Sequence, residues 1–145
     1  MRKIAVDVGL ARIGVAISVD SLAIPHSVIS QGQTAIAELV DIYNEKNAEC
    51  IYVGLPLSLR GGHTASTRMA IDFAELIALQ GIPVRLIDER LTSKTAQQSL
   101  RQAGKNAKQQ KAIIDASAAC LILAFALASE KHGELAGRGL DNLDD

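Results

Sequence analysis

A chain of 145 residues, 48% hydrophobic and 21% charged, has the length and composition of one globular domain with its own core, which argues against a disordered chain. Its longest apolar stretch, Ala116 to Ala128, falls short of the roughly 20 residues that a membrane-spanning helix needs, so no membrane partner is expected. A net charge of −1 gives no overall bias toward a polyanion, and any such attraction must come from local clustering.

The opening Met1-Arg2-Lys3-Ile4 passes at once into a strand pattern, so a signal peptide is not expected and a cytoplasmic location is. Residues 2–8 read as a strand, Gly9-Leu10-Ala11-Arg12 as a turn and residues 13–19 as a second strand, which together make a hairpin. Leu22 to Ile29 forms a third strand, which Pro25 assigns to an edge or a bulge because proline has no N–H to donate. Ile36, Leu39, Val40 and Tyr43 recur at helical spacing and predict an amphipathic helix over Thr34 to Lys46. A short buried strand at Cys50 to Gly54 leads into a polar loop through Gly61-Gly62-His63. Met69, Phe73, Leu76 and Ile77 mark a second helix that Gly81 closes, followed by a strand at 83–87. A basic helix from Ser93 to Gln102, ended by Gly104, and a long helix from Lys111 to Lys131 complete residues 1–130. Residues 131–145, rich in Gly and Asp, read as a flexible tail. Hairpin strands followed by alternating helices and strands predict an α/β domain. Its mixed five-stranded sheet has antiparallel first strands and later parallel ones, and helices flank it.

Three acids stand where nothing structural asks for them. Asp7 interrupts Ile4-Ala5-Val6, Glu89 closes the run 82–89, and Asp115 lies in the apolar stretch 113–123. Ionised carboxylates are rarely buried without a partner, and a divalent cation answers several at once. Asp7 and Glu89 both end predicted strands, where sites of open sheets gather. Oxygen ligands suit Mg²⁺ or Mn²⁺, and two such ions can clamp a phosphodiester between an attacking water and a leaving oxygen. Singly, each acid also has a structural reading. Asp7 can accept backbone hydrogen bonds in the hairpin turn, Glu89 can pair with Arg90 or Arg12, and Asp115 can be a first-turn acid one turn from Lys111. Cys50 and Cys120 lack metal-ligand spacing and read as buried, reduced thiols.

Between Arg90 and Ile114 lie Arg90, Lys94, Arg101, Lys105, Lys108 and Lys111, with no acid among them. Such a stretch suits phosphate contacts, although a solvated helix face explains it equally well. With 3% aromatic residues, stacking platforms for single strands are not expected.

Asp7-Val8-Gly9 with Arg12-Ile13-Gly14-Val15-Ala16 resembles the first motif of the YqgF/RuvX family. So do Val53-Gly54-Leu55-Pro56-Leu57, Asp88-Glu89-Arg90-Leu91-Thr92-Ser93, and Lys111 with Ile114-Asp115-Ala118-Ala119. The blocks cover residues 3–130. Asp-x-Gly alone is common, whereas the second pair of blocks is specific. The resemblance implies an RNase H-like fold and a metal-dependent nuclease whose acids map onto Asp7, Glu89 and Asp115. Members are described as nucleases maturing the 5′ end of pre-16S ribosomal RNA and as resolvases of Holliday junctions. Val8 stands where proline is common, Ala11 where lysine is common, and Arg60-Gly61-Gly62-His63 replaces a loop that is usually acidic or Asn-containing.

Arg12, Arg90 and Lys111 neighbour the acids, and with Lys94 and Lys108 they are the candidates to hold substrate phosphate. For the first three, charge balance is the competing reading. His63 could assist proton transfer, but a solvated loop histidine is the preferred reading, and Thr92 or Ser93 is expected to cap the basic helix. The leading expectation is a nuclease acting on structured RNA. A junction resolvase acting on branched DNA uses the same chemistry but needs a dimer; no dimer stripe stands out, which leaves a weak homodimer open. A phosphotransferase of the actin type would need a second lobe, and a non-catalytic RNA-binding module would have no need of three sheltered acids.

Overall fold

The computed structural model describes residues 2–92, 118–131, 133 and 135–142. Strands β1 (Arg2–Val8), β2 (Arg12–Val19) and β3 (Leu22–Ser30) form an antiparallel meander. Helix α1 (Ala35–Glu45) leads to β4 (Ala48–Leu55), and α2 (Ala65–Ala78) leads to β5 (Val84–Asp88). A helical turn occupies 89–92, and α3 spans Ala118–Lys131. The sheet runs β3-β2-β1-β4-β5, with β4 parallel to both β1 and β5. This is the mixed five-stranded sheet expected from the order of elements.

β1 lies at the centre of the sheet, and its side chains divide by parity. Ile4, Val6 and Val8 join Leu39 of α1 and Ala70, Ile71, Phe73, Ala74 and Ile77 of α2 in one core. Ala5 faces the other way, into a second core with Ala16, Tyr52, Ile87 and α3 residues Ala119, Ile122, Leu123 and Ala126. The alanines keep that face shallow, so α3 sits close to the strands. Ile122 and Leu123 are fully buried there, each contributing about 1.5–3 kcal/mol of hydrophobic stabilisation.

β3 is one of the two edge strands, and its register slips opposite Val15/Ala16, beside Pro25. The proline thus sits at an edge and a bulge, as its missing donor requires. α2 starts with a capping box in which the Thr64 and Thr67 side chains satisfy each other's backbone N–H groups. The buried Thr67 hydroxyl also donates to the Pro56 carbonyl and ties the β4–α2 loop to the helix.

Two details differ from the sequence reading. Helix begins directly at 89, and Thr92 donates from its hydroxyl to the Glu89 carbonyl at 3.0 Å, so it lies inside the first turn and is not a cap. Ser93 and the rest of the expected basic helix lie outside the described residues. Part of the expected flexible tail is packed: Arg138 and Leu86 exchange backbone hydrogen bonds of 2.7 and 2.8 Å, Ala136 is buried, and Leu140 packs on the larger core. Arg85 contributes by donating to the Ala136 and Gly137 carbonyls, an interaction between distant segments that composition does not reveal.

Candidate active site

Asp7 is the penultimate residue of β1, on the α3 side of the sheet, opposite Gly14 of β2. Val6 pairs with Val53, so the next residues along these parallel strands, Asp7 and Gly54, lie side by side. Gly54 in turn pairs with Ile87, two residues before Glu89. Glu89 therefore starts two strands away from Asp7 and must cross β4 to meet it. Gly54 makes the crossing open: a Cβ there would lie 2.5 Å from Glu89 Oε1 and 2.5 Å from Ile122 Cδ1. Neither Gly54 nor its role was singled out from sequence, beyond its place in a family block.

The two carboxyl groups are in direct contact. Burial, then a side-chain hydrogen bond and charge repulsion from Asp7, then the charge of Asp88, push the Glu89 carboxyl from 4.5 up to about 7. Like-charged acids in contact cannot both ionise cheaply, so the Glu89 carboxyl gives up its proton less readily than a free one. A positive charge placed there would relieve that cost. Oxygen-only donors, half-sheltered and electrostatically short of a cation, are the chemistry that a hard divalent ion fits. Among the described residues no group of three or more His, Cys, Asp or Glu side chains forms a metal site. Asp115, the expected third acid, lies outside them.

A cavity of ≈ 210 Å³ opens beside Asp7, lined also by Gly14, Val28, His26, Ala118 and Ala119. A Cβ on Gly14 would stand 3.8 Å from Ala119 Cβ and 4.0 Å from Asp7 Cβ, so small residues let the first turn of α3 approach the acid. His26, whose Nδ1 lies 2.8 Å from Ser27 Oγ, had no role in the sequence reading; it lies where the register of β3 shifts between Pro25 and Ser27.

The turn bearing Arg12 is braced from both sides. Gly9 N–H donates to the Arg12 carbonyl at 2.9 Å, and Gln31 donates through its backbone to Ala11 and through Nε2 to Gly9. A Cβ on Gly9 would lie 2.7 Å from that carbonyl oxygen, which accounts for glycine here. The Arg12 side chain is exposed at the same end of the sheet as Asp7.

Arg90 is engaged otherwise. Its Nε lies 3.0 and 3.1 Å from the two Asp88 oxygens, Nη2 lies 2.6 Å from Oδ2, and its backbone N–H donates to Oδ1 at 2.9 Å. Burial pushes the Asp88 carboxyl up, but the Arg90 hydrogen bonds outweigh it and hold the group below its usual value. The remaining Nη1 donates to the Ser58 and Leu59 carbonyls. His63 is exposed, with its backbone bridged to Leu57. Lys94, Lys108 and Lys111 lie outside the described residues.

A family model described as "RuvX: Holliday junction resolvase" matches residues 1–129. A protein of Leifsonia xyli subsp. xyli named "Putative pre-16S rRNA nuclease" is 41% identical over 134 residues, covering 89% of this chain and 86% of the relative. A Streptomyces avermitilis protein of the same name is 36% identical over 150 residues, covering 97% and 94%. Among solved structures, T. thermophilus RuvC in complex with a Holliday junction substrate superposes with a TM-score of 0.59 at 16% identity, over 93% of this chain and 98% of that one. That likeness shows an RNase H-like fold.

Proposed function

The chain belongs to the RuvX family, and on that premise we propose that it is a nuclease that hydrolyses phosphodiester bonds with Mg²⁺ or Mn²⁺, acting in the cytoplasm on structured RNA at the 5′ end of pre-16S ribosomal RNA. The observation that carries the catalytic reading is the Asp7–Glu89 pair, two carboxyls brought into contact across Gly54. A purely structural acid would have been given a base. The relatives' names support the substrate.

In this reading Asp7, Glu89 and Asp115 hold the cation. Asp115 precedes Ala118 by three positions, and Ala118 borders Asp7, which supports its recruitment to the same cluster. Once bound, the cation supplies a water of lowered pKa and neutralises charge on the scissile phosphate. The protein supplies the mount: Asp7 stands at the end of the central strand, and Glu89 reaches it across the open position at Gly54. Arg12 grips backbone phosphate from the braced turn, with Lys94, Lys108 and Lys111 extending the grip. Phosphate contacts position the strand without reading bases, so substrate choice rests on groove shape.

The family model's description favours a second reading, resolution of four-way DNA junctions, which requires a homodimer presenting two sites. The test sets an rRNA-precursor 5′ leader beside a four-way junction, with and without Mn²⁺. Faster cleavage of the leader supports the first reading, paired symmetric cuts in the junction support the second, and no cleavage of either with any divalent cation removes both.

A further inference from the structure

The loop joining β4 to α2 is built more firmly than a solvated connection requires. Ser58 N–H donates to the Gly62 carbonyl at 3.0 Å, Gly61 N–H to the Ser58 carbonyl at 2.8 Å, and Gly62 N–H to Ser58 Oγ at 2.8 Å. Gly61 adopts φ +85°, a conformation that a side chain would strain, and a Cβ there would stand 3.4 Å from Arg90 Nη1. The loop thus closes around a guanidinium whose other edge is clamped on Asp88. At its tip stand Leu59, 94% exposed, and the exposed Arg60.

Ordering a loop costs conformational entropy, and here the ordering displays a leucine that is 94% exposed, with none of the described residues packed over it. The clamp is anchored one residue from Glu89, so loop and carboxylate share a mount. We propose that Arg90 is a positioning residue that latches the 58–62 loop to Asp88, and that the latched tip, Leu59 with Arg60, contacts the nucleic acid beside the acid pair. The proposal rests on the nuclease reading above and deepens it. Arg60 meets a backbone phosphate, and Leu59 packs on a base face or pries a base step apart, as exposed apolar wedges do.

A latch and a direct phosphate ligand respond oppositely to one substitution. Asp88→Asn releases the guanidinium: a phosphate ligand would then bind nucleic acid as well or better, whereas a broken latch would bind it worse. Amide hydrogen exchange at Gly61 and Gly62, and binding of the rRNA-precursor leader without divalent cation, are measured for Asp88→Asn, Arg90→Gln, Arg90→Lys and the Asp88→Asn/Arg90→Gln double variant. The latch predicts exchange faster by about tenfold or more in all four, the scale of losing charge-assisted hydrogen bonds. Lysine fails to rescue because it lacks the planar fork that spans carboxylate and carbonyls. It also predicts weaker RNA binding in each, with the double variant no worse than the singles. Leu59→Ser and Arg60→Gln should weaken binding with the amides still protected, and in cleavage raise KM about tenfold while kcat stays within about threefold, the pattern of lost uniform binding. Unchanged exchange in Arg90→Gln overturns the latch whatever the RNA result. Wild-type RNA affinity in Leu59→Ser and Arg60→Gln overturns the contact role. A wild-type protein that binds no RNA and cuts no substrate removes the nuclease reading and the tip's role with it, while exchange still decides the latch.

Discussion

Two half-buried glutamates lie near opposite ends of the central strand, and they are given opposite partners. Glu130, on α3, takes an ion pair from Lys3 at the start of β1 and a hydrogen bond from the Tyr52 hydroxyl. Glu89, past the end of β5, faces Asp7 at the far end of β1. Burial raises the carboxyl pKa at both places. The difference lies in what the fold supplies next: a cation and a hydroxyl for Glu130, a second acid for Glu89. Burial alone therefore does not mark a functional acid. The sign of the partner does, because an unrelieved acid pair is a standing cost that a bound cation removes.

The sharpest way to break this contrast is to neutralise each acid. Asp7→Asn and Glu89→Gln should lower cleavage by at least about 10²–10³-fold, the range for removing one electrostatic stabiliser of a transition state. Both proteins should stay folded, since each substitution relieves repulsion. Wild-type turnover by Asp7→Asn in a preparation free of contaminating nuclease would end the assignment.

The contrast also has a pH signature. A carboxyl raised from 4.5 to about 7 is protonated more readily in the folded state than in the unfolded one. Its stabilising contribution is fully present below pH 4.5 and is lost as pH rises through 7. Metal-free protein should accordingly melt at a lower temperature at pH 8 than at pH 5, by on the order of 5 °C. Glu89→Gln should flatten that dependence. Mn²⁺ should raise the melting temperature more at pH 8, where the pair lacks its proton, than at pH 5; equal shifts at both would count against the pair as a cation site.

Much of this was legible in the chain, and what was not has a physical reason. The alternation 4–8 and 13–19, the helical spacing at 36–43 and the proline at 25 are local patterns, and they located the sheet, its hairpin and its edge. Asp7 and Glu89 stood out because ionisable groups in apolar runs violate a local rule. Gly54 did not, because its significance is a clearance over a neighbouring strand, visible only once β4 lies between β1 and β5. The Arg90 clamp on Asp88 was hidden for the opposite reason. An exposed arginine beside acids suits phosphate binding and charge balance alike, and only hydrogen-bond geometry separates them. The 135–142 segment reads as a tail by composition, yet backbone groups that composition ignores dock it on β5.

The finest test separates the clearance at Gly54 from general stability by setting it against the structural acid. A methyl group at Gly54→Ala meets Glu89 Oε1 and Ile122 Cδ1, both far ends of flexible side chains that can swing away. Stability should therefore fall by about 1 kcal/mol or less, yet a carboxylate moved by an ångström loses its partner, so cleavage should drop about tenfold or more. Glu130→Gln should do the reverse. It leaves Lys3 with the half-exposed Glu49 3.5 Å away, should cost about 1–2 kcal/mol of stability and should leave turnover untouched, because Glu130 pairs with the start of β1, at the opposite end from Asp7. Urea titration beside a cleavage assay reads both quantities. If Gly54→Ala lost stability without losing activity, or Glu130→Gln lost activity without losing stability, the division of the sheet into a structural end and a reacting end would fail.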